Sequence, residues 1–129
     1  MAVNQIDQLF QLLRNFEAEN KDIKASSIVS IQGLPICSTL GKSEEAETKE
    51  GLIAAMVAAI LSVSDRAVAE LIQSSSLKRI LLESNDGLII IQQAGPHSVL
   101  AVLVGSDKQL GLIFMLMEGL CKRIASFLG

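Results

Sequence analysis

Aromatic residues are scarce in this chain of 129 residues, which has no tryptophan, no tyrosine and only four phenylalanines. The eleven lysine and arginine residues form no basic stripe, and the formal net charge is −3. Proteins that bind nucleic acid use clustered Lys and Arg side chains for the phosphates and usually aromatic side chains for the bases. The composition therefore predicts a protein that does not bind nucleic acid.

Metal-binding and catalytic side chains are equally scarce. The single histidine, His97, lies in a predicted turn, and the two cysteines, Cys37 and Cys121, are far apart in the sequence. A zinc site of ordinary ligand spacing cannot be built from them. A Ser-His-Asp arrangement is not excluded by composition, but no segment resembles the turn that carries a catalytic serine. We predict no metal, no cofactor and no catalytic residue, with His97 solvated and both cysteines free and buried.

Charged residues make up only 19% of the chain, whereas hydrophobic residues make up 50% and the mean hydropathy is +0.44. These values are high for a soluble monomer and favour a protein that covers apolar surface by assembly. The length is that of one domain, residues 1–129. No unbroken apolar run reaches about 18 residues, and the first residues do not resemble a signal peptide. We therefore expect a cytoplasmic protein with no direct membrane insertion.

Two neighbouring polar segments resemble functional motifs but have simpler interpretations. Gly41, Lys42 and Ser43 match the end of a phosphate-binding loop. Ile36 stands where that loop needs a glycine, so we interpret the match as coincidence. The acidic group at residues 44–50 is expected to be a solvated entry to a helix, where carboxylates favour the positive end of the helix dipole. A metal or partner site is the less favoured interpretation of this group.

Hydrophobic periodicity predicts a helix, two strands, a helix, three strands and a final helix. Short connections within each group of strands require antiparallel hairpins. The predicted fold is an α/β (α+β type) three-layer α/β/α sandwich around a five-stranded antiparallel sheet. The predicted helices are residues 3–17, 51–71 and 107–127, the strands are 25–32, 36–40, 77–84, 88–94 and 98–104, and the main turns are 33–35 and 85–87.

The first and last helices each have one apolar stripe that is predicted to be buried. On the last helix, Leu112 and Met115 fall outside the stripe, which makes them candidate contacts with a partner. Partial burial by the first helix is the alternative for these two residues. The predicted stripes are Val3, Ile6, Leu9, Phe10, Leu13 and Phe16 in the first helix, and Leu110, Ile113, Phe114, Met117, Leu120, Cys121 and Ile124 in the last.

The strands at residues 88–94 and 98–104 are apolar on both faces. We therefore predict that they are central in the sheet and covered on both sides.

The central helix is apolar on two sides. Its broad side, with large side chains, is predicted to lie on the sheet. The opposite side begins with Ala55, Ala58, Ala59 and Ser62, where a surface helix should carry charge. Such small side chains favour close approach of a second helix, most simply the same helix from another copy of the chain. The alternative is a helix packed between two layers of its own domain. The broad side comprises Ile53, Met56, Val57, Ile60, Leu61, Val68 and Leu71.

The chain resembles the Roadblock/LC7 family over nearly its whole length, about residues 6–127. None of the segments that carry the resemblance is a catalytic signature. They are IQGLPICS (31–38), AAMVAAILSVSDRAVAEL (54–71), DGLIIIQQAG (86–95) with VLAVLV (99–104), and LGLIFMLMEGLCKRI (110–124).

The resemblance implies a non-catalytic homodimeric regulatory module that binds a Ras-like small GTPase and modulates its nucleotide cycle, as a GTPase-activating or scaffold protein. It also implies dimerisation through the central helix and the third strand, with the chain itself or a related Roadblock chain as partner. The alternative is a structural light chain or scaffold subunit of a motor or membrane-associated complex. The implied dimer contacts are Ala55, Ala58, Ala59, Ser62, Leu77, Arg79 and Leu81.

Overall fold

The described residues form three helices and five strands in the order predicted from the sequence. The computed structural model describes residues 4–40, 44–73 and 76–129, with the backbone alone for residues 44–48. The elements are α1 (Gln5–Ala18), β1 (Ile23–Ser30), β2 (Pro35–Ser38), α2 (Glu44–Leu71), β3 (Ile80–Ser84), β4 (Gly87–Gln93), β5 (Ser98–Val104) and α3 (Leu110–Leu128).

The five strands form one antiparallel sheet in the order β2-β1-β5-β4-β3. Each predicted hairpin is present, and β5 joins the two groups by pairing with β1, which places Ser27 opposite Ala101. The helices α1 and α3 pack on one face of the sheet and α2 packs on the other, so each face has its own buried apolar cluster. The predicted three-layer α/β/α sandwich with a five-stranded antiparallel sheet is confirmed.

The predicted stripes of α1 and α3 build the larger cluster. Leu9, Leu13 and Phe16 of α1 are buried, whereas Ile6 at the start of this helix is 48% exposed. Val3, which the sequence placed in the same stripe, lies outside the described residues. The buried residues of α3 are Ile113, Met117, Leu120, Cys121 and Ile124, with Leu110 and Phe114 partly buried beside them.

Polar side chains fix both ends of α1. Asn4 caps the helix, because its side-chain oxygen accepts a 2.8 Å hydrogen bond from the backbone N–H of Asp7. Near the other end, the Glu17 carboxylate accepts 2.6 Å hydrogen bonds from the hydroxyls of Ser26 and Thr39. These two bonds join α1 to β1 and to the residue that follows β2.

The helix α2 begins at Glu44, so the prediction of an acidic entry segment before the helix at residues 44–50 is wrong. Glutamate is a good helix former, and its carboxylate is favourable in the first turns, so the acidic residues extend the helix rather than precede it. Gly41, Lys42 and Ser43, which match the end of a phosphate-binding loop, lie outside the described residues.

The strand boundaries differ most at β3. The sequence predicts a strand from Leu77, whereas β3 begins at Ile80. Leu77 precedes the regular strand and is partly buried against the α2-side cluster. At this position the side chain packs on the α2-side cluster, and the backbone is not part of the regular strand. By contrast, β5 spans Ser98–Val104 as predicted.

A stretch of α2, Lys49–Leu71, is long and apolar enough to cross a membrane by length and composition, although no unbroken apolar run is that long. Its mean hydropathy is 1.8, and only 11% of the window is buried. Length and composition are weak evidence for a membrane span. In the described fold the inner side of α2 packs on the sheet, whereas its outer apolar side is exposed.

Candidate interaction surface

The outer side of α2 is exposed and apolar. Leu52, Met56 and Val63 are 60%, 47% and 70% exposed. Ala59 lies in the same row, since the four residues are spaced by four, three and four positions, which is one side of a helix. Ala55 and Ser62 are also exposed. The described chain therefore leaves the small-residue side of α2 largely uncovered, with large apolar side chains next to it.

The inner side of α2 is centred on Ala54, Val57 and Leu61, which are buried. The prediction that Met56 and Leu71 lie on the sheet is wrong for both, because they are 47% and 83% exposed. Leu71 ends a helix of 28 residues, about 42 Å long, whereas strands of seven or eight residues span about 25 Å. The helix is longer than the strands, so Leu71 extends beyond the part of the sheet that α2 packs on.

One of the small residues also has a neighbour within its own chain. Gly33, in the turn between β1 and β2, has φ +96, and a Cβ built on it would lie 3.5 Å from the Cα of Ala55 and 3.7 Å from the Cβ of Ala58. Ala58 is half-buried. The alternative of packing within the chain's own domain therefore holds for Ala58. It does not hold for Ala55, Ala59 and Ser62, which stay exposed.

Beside α2 runs an apolar groove, which is lined on the sheet side by residues of β1, β5, β4 and β3. Three of these sheet residues, Leu82, Ile89 and Leu103, are 38%, 40% and 42% exposed. The prediction that both central strands are fully covered is therefore wrong at Ile89 and Leu103. The groove has a volume of about 360 Å³, and Met56 and Ile60 line its α2 side. We call this feature the open groove.

The strand β3 forms one edge of the sheet, next to the open groove. The three predicted edge contacts do not share one side of the sheet. Leu77 packs on the α2-side cluster. Leu81, which is 42% exposed, stands opposite Ile90, a member of the α1/α3-side cluster. The side chain of Arg79 is directed to α3.

Arg79 is held within the chain by two residues of α3. Its guanidinium carbon lies 4.5 Å from the centroid of the Phe114 ring, and Nη2 donates a 3.2 Å hydrogen bond to Oε2 of Glu118. Its side chain is only 26% exposed. Stacking on a ring together with a carboxylate contact is the geometry that a planar guanidinium favours.

The outer side of α3 exposes the two residues that the sequence marked as candidate partner contacts. Leu112 is 44% exposed and Met115 is 72% exposed. The alternative of partial burial by α1 therefore does not hold for Met115.

The remaining candidate chemical groups do not form a site in the part of the chain that the structure describes. His97 is exposed in the turn between β4 and β5. Burial raises the pKa of Cys37 to about 11 and that of Cys121 to about 12, with the charges of Glu50 and Glu118, respectively, as the next cause. Both cysteines are free and buried, as predicted. Among the described residues, no group of three or more His, Cys, Asp or Glu side chains is arranged to hold a metal ion.

Sequence reasoning missed the large residues of the interaction surface. The row of Leu52, Met56 and Val63 was available in the sequence as an apolar row with helical spacing. Ile89 and Leu103 carried no such signal, since a covered residue and an uncovered residue of an apolar strand look the same in sequence.

An open apolar groove beside an exposed sheet edge defines a class of protein, a small α/β domain whose own chain leaves an apolar surface uncovered among the described residues. The Roadblock/LC7 domain family matches residues 9–104. The chain belongs to this family, which confirms the resemblance.

A relative and two solved structures show how far the similarity extends. An uncharacterized protein of Methanocaldococcus jannaschii is 32% identical over 106 residues, which cover 82% of this chain and 88% of that protein. A Roadblock/LC7 domain from Streptomyces avermitilis superposes with a TM-score of 0.82 at 18% identity, over 92% of this chain and 96% of that chain. MglB in a tetrameric arrangement superposes with a TM-score of 0.80 at 13% identity, over 98% of this chain and 92% of that chain. The two solved structures share the fold.

Proposed function

We propose that the protein is a non-catalytic homodimeric regulatory module that binds a Ras-like small GTPase and modulates its nucleotide cycle. Membership of the Roadblock/LC7 family supports a regulatory role. The observation that carries the dimer is the open groove, which lies between the exposed row of α2 and the edge strand β3. We propose that this dimer acts in the cytoplasm.

A second copy of the chain is the simplest cover for this surface. Pairing of two β3 edges would continue the sheet and place the exposed side of each α2 against the other copy. Contacts between small residues such as Ala55 and Ala59 would allow the two helices to approach closely. Burial of Leu52, Met56 and Val63 would remove large apolar area from water, at about 25 cal/mol per Å². MglB, whose fold is similar, has a tetrameric arrangement and supports self-association in this fold.

The proposed effect on a GTPase is indirect. The surface that the described residues leave open is largely apolar, with Leu52, Met56 and Val63 exposed on α2. A dimer of this kind would bind the switch segments of a GTPase across a surface shared by the two copies. Binding would change the relative populations of the conformations of those segments.

The first test measures the mass of the isolated protein in solution at micromolar concentration, by light scattering. A stable dimer supports the proposal. A chain that is insoluble by itself, or a monomer that is stable only together with a related chain, supports the alternative, a light-chain or scaffold subunit of a motor or membrane-associated complex.

The second test concerns the GTPase. The immobilised dimer is exposed to native cytosol in the presence of a non-hydrolysable GTP analogue and, in parallel, of GDP. Any GTPase retained in a nucleotide-dependent manner is then purified and tested for single-turnover GTP hydrolysis and for nucleotide release, with and without the dimer. A change in either rate supports a regulatory role. Binding that leaves both rates unchanged reduces the role to that of a scaffold.

A further inference from the structure

We infer that Arg79 is a positioning residue that anchors the edge strand β3 to α3. It thereby fixes the position of the sheet edge through which the proposed dimer forms. This inference rests on the proposed function, because it concerns the edge used by the proposed dimer. It assigns Arg79 a role within its own chain, whereas a residue at a sheet edge would ordinarily be expected to contact the partner.

The strand β3 is an edge strand that, unlike the other edge strand β2, has few contacts with a helix. It has five residues and pairs with β4 on one side only. Four of these residues, from Leu81 to Ser84, are exposed, whereas Ile80 is half-buried. Its principal contacts are with β4 rather than with any helix. A short exposed edge strand frays easily unless another element holds it.

Arg79 directly precedes β3 and supplies such a connection. The stacking on Phe114 at 4.5 Å and the 3.2 Å hydrogen bond to Glu118 both join it to α3. The same Glu118 oxygen accepts a 3.0 Å hydrogen bond from Nε2 of Gln92 on β4. Gln92 is only 7% exposed. The carboxylate of Glu118 on α3 thus contacts both the residue before β3 and a residue near the end of β4.

The strand register explains why these groups meet. Ile80 pairs with Ile91, so Arg79 and Gln92 are the next positions on the two strands, and both side chains are directed toward α3. The contacts link residues far apart in sequence, since Arg79 and Glu118 are separated by 39 positions.

The arrangement is better suited to fixing orientation than to adding stability. The side chain of Arg79 is largely withdrawn from water, and Arg79 Nε and Gln92 Oε1 are buried with no hydrogen-bond partner among the described residues. Partial burial of a charge with incomplete hydrogen bonding is costly. A planar guanidinium between a ring and a carboxylate has, however, one preferred position. The network therefore specifies where β3 begins.

The test compares four variants in two backgrounds. Arg79→Met removes the charge and keeps a long side chain, Arg79→Lys keeps the charge but loses the planar group, and Glu118→Gln weakens the acceptor mildly. Lys78→Met is the matched control, because it removes one positive charge from the exposed neighbouring residue. Each variant is made in the wild-type chain and in the Ala59→Glu chain, which is designed to be monomeric.

Two quantities are measured, the dimer dissociation constant in the wild-type background and hydrogen–deuterium exchange of the β3 peptide in the monomeric background. We expect Arg79→Met to raise the dissociation constant about tenfold, equivalent to about 1.4 kcal/mol, and to speed exchange in β3 while exchange in β5 stays unchanged. Arg79→Lys should restore part of both effects. Glu118→Gln should act in the same direction as Arg79→Met, and Lys78→Met should leave both quantities unchanged.

The inference is overturned if the Arg79 variants exchange in β3 at the wild-type rate in the monomeric background, or if Lys78→Met has the same effect as Arg79→Met. Faster exchange in all strands of the Arg79→Met chain indicates general destabilisation and also overturns the inference. A monomeric wild-type chain would overturn the proposed function. Exchange in β3 would still test the role of Arg79, so failure of the proposed function and failure of this inference are distinguishable.

Discussion

At the scale of single residues, burial determines how reactive the two cysteine thiols are. Cys37 and Cys121 are chemically ordinary thiols, but their burial raises both pKa values, to about 11 and about 12. The nucleophile in thiol chemistry is the thiolate, so these residues act as small buried hydrophobes. The sequence predicted their free and buried state from their number and spacing, because two remote cysteines cannot form an ordinary metal site.

The first prediction concerns the labelling of these cysteines. In the native protein near neutral pH, alkylation of Cys37 and Cys121 should be slow, unaffected by chelators, and faster by about tenfold per pH unit below the pKa. Both thiols should react rapidly in denaturant, and mass spectrometry of peptides distinguishes the two sites. Rapid native labelling of Cys121, or protection of both thiols that disappears when a reductant is added, would contradict the prediction.

The raised pKa values also predict how stability depends on pH. The ordinary pKa of the thiol is 9.0, so the unfolded chain loses these protons first as the pH rises. The contribution to stability is therefore fully present below pH 9 and is lost as the pH rises toward the folded-state values. Replacement of either cysteine by alanine should flatten the fall in melting temperature above pH 9, measured by thermal unfolding.

Two glycines should respond to alanine substitution with opposite signs. Gly95 has φ +84, and a Cβ there would lie 2.9 Å from the Cβ of Ala125, so Gly95→Ala should destabilise the fold by about 1–3 kcal/mol. Gly119 is exposed within α3, and a Cβ there meets no heavy atom within 4 Å. Gly119→Ala should therefore stabilise by about 0.5–1 kcal/mol. Denaturant unfolding measures both, and equal signs would contradict the argument.

At the scale of elements, α2 combines two apolar sides whose partners differ. The side with Ala54, Val57 and Leu61 packs on the sheet. The side with Leu52 and Val63 is uncovered in the described chain. Periodicity in the sequence placed Val57 and Leu61 on the sheet correctly but not Met56, because the lateral position of a helix over a sheet depends on residues from distant strands.

Replacement of Ala59 by glutamate tests the uncovered side. Ala59→Glu would put a charge where two helices meet, and an unpaired charge in such a contact costs about 3–5 kcal/mol, so we expect a monomer at micromolar concentration. The control is Ala18→Glu, an exposed alanine on α1 on the other face of the sheet, which should remain dimeric. If Ala59→Glu stays dimeric with an unchanged melting temperature, the interface lies elsewhere.

At the scale of the whole molecule, the distribution of the arginines bears on mechanism. An arginine finger needs a guanidinium free to reach another protein's active site, and it is worth about 10³ to 10⁵ in rate. Arg79 is held against α3, and Arg66 forms a 3.1 Å ion pair with Glu70 on its own helix. Arg14 and Arg123 are exposed on α1 and α3. None of the four lies in a glycine-rich loop.

We therefore predict that any stimulation of GTP hydrolysis acts through binding and reordering of the GTPase switch segments. Single substitutions by alanine at Arg14, Arg66, Arg79 and Arg123 should each reduce the saturated hydrolysis rate by far less than about 10³, and should act mainly by weakening binding. Single-turnover hydrolysis at saturating dimer, with affinity measured separately, makes the distinction. A thousandfold fall in the saturated rate with unchanged affinity would refute the indirect mechanism.

The sequence by itself determined the elements, their order, the antiparallel sheet and the stripes of α1 and α3. These follow from local periodicity and short turns, which act over a few residues. Only the tertiary structure decided that Leu77 leaves the strand, that Met56 borders a groove and that Arg79 binds α3. Each depends on the position of α2 over the sheet or on contacts such as Arg79 with Glu118. Such contacts join residues far apart in the chain, and no local pattern encodes them.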